Sequence, residues 1–118
     1  GSPLHGLYVF QTPEICVAMG STVTLHCNYV INTTEVPTVG WFKWHRHMEK
    51  GPEVTNDNKD YYGRISTADQ NDFIHKSIAD VKLKNVNITD TGLYYCVVSL
   101  LLSEIISNHG DGTFLNVT

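Results

Sequence analysis

Thiols, imidazoles and glycosylatable asparagines are the groups through which this chain could do chemistry. The cysteines are Cys16, Cys27 and Cys96. An odd number in a secreted setting leaves one bridge and one spare thiol. The edge-strand context of Cys16 offers no charge that would stabilise a thiolate, so it reads as a free thiol or an intermolecular bridge. His45 and His47 have the only metal-like spacing, because residues i and i+2 share a strand face, but no third ligand lies near. The pair reads as a solvated turn, and no metal or other cofactor is expected. The chain has no Gly-x-Ser-x-Gly, no phosphate loop and no nucleophile set beside a base. Neither catalysis nor a small-molecule substrate is expected. Sequons begin at Asn32, Asn87 and Asn116. Together they favour the secretory route and a glycoprotein, each asparagine lying in or beside a turn or strand end.

The elements that hold these groups are short. The 118 residues suffice for one domain and not for two. Residues 1–6 read as a cloning or leader remnant and residues 7–118 as the domain. A hydrophobic content of 42% excludes intrinsic disorder. A net charge of -4 without a basic block argues against a nucleic-acid partner, and no apolar run reaches the ~20 residues of a membrane helix. No helical periodicity is evident. Alternating stretches bounded by Gly, Asn, Asp and Pro predict an all-β fold. The expected strands are 7–11 (interrupted at Pro13), 22–29, 39–45, 63–67, 73–83, 93–99 and 113–117. Residues 100–109 form the loop before the last strand.

Between Cys27 and Cys96 stand Trp41 and the run Asp90-Thr91-Gly92-Leu93-Tyr94-Tyr95-Cys96, and the chain ends in Gly110-Asp111-Gly112-Thr113-Phe114-Leu115-Asn116-Val117. This pattern resembles the immunoglobulin V-set, of the VJ type. The resemblance implies a two-sheet antiparallel Greek-key β-sandwich with an inter-sheet Cys27–Cys96 disulfide. It implies that Trp41 packs on the bridge, that Tyr94 closes a corner, and that Arg64 pairs with Asp90. Gly110 and Gly112 would permit a bulge that redirects the last strand. The short stretch from Trp41 to Arg64 predicts a reduced C′–C″ edge, with one remnant strand near residues 53–55. His109 stands where rearranging antigen receptors carry an aromatic residue before the glycines, which disfavours an antigen-receptor variable chain. Leu7-Tyr8-Val9-Phe10-Gln11-Thr12-Pro13-Glu14-Ile15, Trp41-Phe42-Lys43, Gly63-Arg64-Ile65 and Phe73-Ile74-His75 are similar to segments of the natural cytotoxicity triggering receptors of natural killer cells.

With Trp41 turned inward, strand alternation points Phe42 and Trp44 outward, beside Tyr95 and Val97 of the neighbouring strand. These four are expected to form an apolar patch on one sheet face. Leu100, Leu101, Leu102, Ile105 and Ile106 crowd the loop that follows, and Leu101, Leu102 and Ile105 are expected to insert into a partner, the alternative being that some of the five fold back onto the core or extend the strands. Phe73 and Ile74 match an aromatic–aliphatic pair that the resemblance allows as a further contact, with core packing the alternative. The resemblance implies an extracellular ectodomain of a single-pass membrane receptor that activates cytotoxic lymphocytes. It also implies a protein ligand on stressed or transformed cells, and an adaptor chain recruited through a transmembrane segment. The alternative is a pairing module that joins a second copy or another variable domain through the same face.

Overall fold

The computed structural model describes residues 6–118. The remnant expected over residues 1–6 therefore lies outside the described residues except at Gly6, whose carbonyl accepts the Asn32 amide at 2.7 Å. Among the described residues ten strands, one α-helix and one short 3-10 helix follow in the order β1 (Leu7–Gln11), β2 (Glu14–Val17), β3 (Val23–Leu25), β4 (Cys27–Ile31), β5 (Val39–Arg46), β6 (Ile65–Thr67), α1 (Gln70–Lys76), β7 (Val81–Leu83), the 3-10 turn (Ile88–Asp90), β8 (Gly92–Leu101), β9 (Ile105–His109) and β10 (Thr113–Val117). They stack as two layers. One contains β1 against β4 and β3-β7-β6; the other runs β2-β10-β8-β5, with β9 also on β8. No helix among the described residues is long and apolar enough to cross a membrane.

The sequence explains most of these breaks. Pro13 ends β1, and the chain resumes as β2 on the other sheet, parallel to β10, as proline at an interrupted edge strand allows. The stretch expected over 22–29 is split at His26, because the Cys27 amide donates to Asp80 Oδ1 at 2.9 Å rather than to a ladder. Between β5 and β6 a single-residue bridge joins His45 to Glu53, the reduced edge that the short spacing predicts.

The strand expected over residues 73–83 is corrected. Residues Gln70–Lys76 are α-helical, and the strand is confined to Val81–Leu83. Asp69 caps the helix by accepting the Asp72 amide at 2.7 Å, and Ser77 closes it in the left-handed region at φ 59°. Such caps are characteristic of helix ends. Seven residues are too few to show a helical period.

The core is continuous between the layers and contains Leu7, Val9, Leu25, Tyr29, Trp44, Phe73, Val81, Leu83, Tyr94, Val98, Leu100 and Leu115. Cys27 and Cys96 cross it as a disulfide, 69 residues apart in sequence. Closing a loop of that length stabilises the fold by about 4 kcal/mol in the chain-entropy account.

Candidate functional site

Strand β5 decides which side chains reach the surface, and its parity is opposite to the expectation. Gly40, Phe42, Trp44 and Arg46 turn toward the other layer, while Val39, Trp41, Lys43 and His45 turn away from it. Trp44 is 2% exposed and its indole N–H donates to the Ala79 carbonyl at 2.8 Å; Trp41 is 43% exposed. Trp44 lies opposite Cys96 in the ladder. The core tryptophan is therefore Trp44, and the roles expected for the two residues are exchanged. Phe42 is corrected with it, being half-buried with its ring centroid 5.0 Å from that of Phe73. Gly40 fixes the phase. A Cβ there would come within 2.7 Å of Leu100 Cδ2 and 3.0 Å of the Phe73 ring, so the inward position above Phe42 has no room for a side chain. Because the strand period is two, every other residue follows.

At the lower end, the Tyr94 hydroxyl donates to the Asp90 carbonyl at 2.6 Å. Burial pushes the Tyr94 phenol far above its usual pKa. Arg64 meets the buried Asp90 carboxylate through two contacts, Nη1–Oδ2 at 2.7 Å and Nη2–Oδ1 at 3.0 Å. Those hydrogen bonds raise the guanidinium pKa against the opposing effect of burial. Arg46 turns inward to the Tyr61 hydroxyl at 2.6 Å and the Thr91 carbonyl at 2.8 Å.

Gln11 is a positioning residue that the sequence reading missed. Its amide donates to the Tyr94 carbonyl (3.0 Å) and Thr113 Oγ1 (3.1 Å) and accepts from the amides of Cys96 (3.1 Å) and Gly112 (3.2 Å). One side chain thereby joins β1 to β8 and to the start of β10. A signal was available: Gln11 shares the inward parity of Leu7 and Val9, and a polar group there must find partners. Gly110 leaves room for it, since a Cβ would meet Gln11 Oε1 at 2.2 Å. Against β8, Val97 faces His109 and Tyr94 faces Thr113, so one extra residue is accommodated around Gly112, which has φ 97°. This bulge divides β9 from β10.

On this frame the outward face of the five-stranded sheet can be read from the register. Val39 lies opposite Leu101 and Leu101 opposite Ile105; the next outward row is Trp41, Ser99 and Ser107, then Lys43, Val97 and His109, then His45 and Tyr95. The top is apolar, with Val39 at 48%, Leu101 at 43% and Ile105 at 59% exposure beside Trp41. Tyr95 and Val97 are half-buried on the same face, Tyr95 meeting the His109 ring edge-on. Lys43 lies 3.7 Å from Glu53, and His45 donates from Nδ1 to the Gly51 carbonyl at 2.7 Å.

Residues 100–109 are not an open loop. β8 and β9 form a hairpin, and only 102–104 turn. Leu100 and Ile106 point into the core, and Leu102 packs half-buried against it. The outward expectation is corrected for Leu100, Leu102 and Ile106; Leu101 and Ile105 remain at the surface. Phe73 is wholly buried in α1, which corrects its reading as a contact residue. Ile74 is half-buried and lines a groove of about 490 Å³ with Val36, Pro37, Thr38 and His75.

Asn32 and Asn87 are exposed, while Asn116 is half-buried on β10, with its side chain 3.9 Å from the Sγ of Cys16. Cys16 is an exposed free thiol. His47 lies beyond the end of β5 at φ 76°, so it does not continue the strand from His45. No group of three or more metal-ligating side chains occurs among the described residues.

The sandwich, its buried bridge and tryptophan, the tyrosine corner and the glycine bulge define an immunoglobulin variable-type domain. The sequence profile of the immunoglobulin V-set domain matches residues 11–118, and the chain belongs to that family. It is 30% identical over 112 residues to the natural cytotoxicity triggering receptor 3 of Pan troglodytes and to that of Homo sapiens, each alignment covering 94% of this chain and 54% of the relative. The chain thus spans about half the length of these curated relatives and is a distant homologue of them. A solved structure of murine CRIg superposes with a TM-score of 0.74 at 12% identity, covering 95% of this chain and 98% of that one. That likeness concerns the fold.

Proposed function

We propose that this domain is the ligand-binding part of a cell-surface immune receptor, of the activating kind carried by natural killer and other cytotoxic lymphocytes. Its ligand is a protein on another cell, contacted through the outward face of β9-β8-β5 and the tip of the β8–β9 hairpin. The observation that carries this reading is the row Val39, Leu101 and Ile105 with Trp41 beneath it, apolar and exposed on a rigid sheet. Scattered surface apolar residues are ordinary, but a contiguous group containing tryptophan has the composition of an interface centre. Its backbone is held by Leu100, Ile106 and the disulfide, so little ordering is required when a partner binds. The similarity to natural cytotoxicity triggering receptor 3 supports the cellular setting. By the same similarity, the receptor is anchored by a transmembrane segment outside this sequence and signals through an adaptor chain. Glycans on Asn32, Asn87 and Asn116 fit an extracellular location.

The test is staining of a panel of transformed cell lines by a fluorescent multimer of the domain. W41A and L101D should each lower staining at least tenfold while the domain still folds and unfolds cooperatively. V30D, on the exposed face of β4 in the other layer, should leave it unchanged. Undiminished staining by W41A and L101D refutes the reading. A stable dimer in sedimentation that those variants dissociate would instead make the face a self-pairing surface.

A further inference from the structure

The tip carries one contact that its exposure does not lead one to expect. Within the hairpin turn the Leu102 amide donates to the Glu104 carbonyl at 3.0 Å. The next amide, that of Ser103, donates to Oε1 of Glu35 at 2.8 Å, and the Ser103 hydroxyl lies 3.4 Å from Oε2. Glu35 is 68 residues distant in sequence, in the exposed loop between β4 and β5. That loop is itself tied at its start, where the Asn32 amide donates to the Gly6 carbonyl at 2.7 Å, and the Glu35 amide donates to Thr33 Oγ1 at 3.3 Å.

We infer that Glu35 is a positioning residue of the recognition tip, its carboxylate latching the 32–38 loop to the turn of the β8–β9 hairpin. A carboxylate accepting a backbone amide is among the stronger hydrogen bonds. Here it acts where the ladder has ended: beyond the Leu101–Ile105 pair no strand partner restrains the turn. Leu102 sits half-buried beneath as a pivot. The latch stops the turn from swinging about that pivot. It sets Leu101 and Ile105 of the hairpin against the loop that carries Glu35. A tip held in this way is pre-organised, which lowers the ordering cost of binding. The role in recognition rests on the function proposed above; the latch itself does not.

The test is amide hydrogen exchange followed residue by residue by NMR on the free domain. In E35A the Ser103 amide should exchange about tenfold faster, as loss of one net hydrogen bond predicts. The Val98 and Leu100 amides and the melting temperature should not change. E35D, which keeps the charge but is one methylene shorter, should release Ser103 in the same way and serves if E35A folds poorly. E35Q, which keeps an acceptor oxygen at full reach, should restore exchange to within about threefold of the unaltered domain. Equal Ser103 exchange in E35A, E35D and the unaltered domain overturns the latch, as does failure of E35Q to restore protection. The readout needs no ligand, so a latch that holds and a face that does not bind cells are separate outcomes.

Discussion

Replacing each tryptophan in turn by phenylalanine separates the two roles that β5 assigns them. Trp44 is 2% exposed, and its indole N–H serves the Ala79 carbonyl at 2.8 Å. W44F leaves that carbonyl without a donor, which costs about 1–3 kcal/mol. It also leaves the space of the lost ring beside the disulfide, and large-to-small changes in a core cost a further ~1–2 kcal/mol for a volume of this kind. The sum is about 3 kcal/mol. For a domain of 118 residues this lowers the melting temperature by roughly 12 °C, at about 4 °C per kcal/mol. Trp41 is 43% exposed on the outward side of β5, opposite Ser99. W41F should then stay within about 0.5 kcal/mol of the unaltered domain, or roughly 2 °C. Calorimetry with the disulfide intact measures both. Near-normal melting of W44F with a large loss in W41F would reverse the assigned parity of β5, and the recognition face with it.

The base of the domain and its tyrosines give two further expectations. R64A leaves the Asp90 carboxylate buried without its guanidinium and should destabilise by about 3 kcal/mol in denaturant unfolding, because an unpaired buried charge is the costly outcome. R64K should recover only part of that, since an ammonium cannot reproduce the two-pronged contact; full recovery would contradict this geometry. Burial raises the pKa of Tyr94 and of Tyr29. The folded chain therefore keeps protons that the unfolded chain releases near pH ~10. Their stabilising contribution is complete below about pH 10 and is lost as the pH rises further. A phenolate absorbance titration should show Tyr94 ionising only as the domain unfolds, and Tyr29 ionising later than a free phenol; both titrating in the folded state at the ordinary phenol pH would contradict it.

Much of the frame was legible through the family resemblance that Cys27, Tyr94, Cys96 and the terminal glycines carry: it implied the disulfide, the tyrosine corner, the Arg64–Asp90 pair and the glycine bulge, and the structure contains all four. The face of β5 was harder, for a physical reason. Taking Trp41 as the core tryptophan fixed the parity from one residue, and a shift of one position sends every side chain of a strand to the opposite side. The pattern itself held the answer, since Phe42 and Trp44 form the more apolar alternate set, while Lys43 and His45 accompany Trp41. Helix α1 was invisible because seven residues held by Asp69 and Ser77 carry no period. The run 100–106 read as a loop because an apolar hairpin with one side in the core and one in water has the composition of a sticky loop. Only the ladder separates Leu100 and Ile106 from Leu101 and Ile105.

Site-specific photo-crosslinking on living cells tests the recognition face most directly. A benzophenone side chain at position 105, on the outward row of the hairpin, should yield a covalent adduct with a protein on cells that the domain stains. The same group at position 10 or 30, exposed on β1 and β4 of the opposite layer, should yield none. Adducts formed from positions 10 or 30 and absent from position 105 would contradict the assignment of the face.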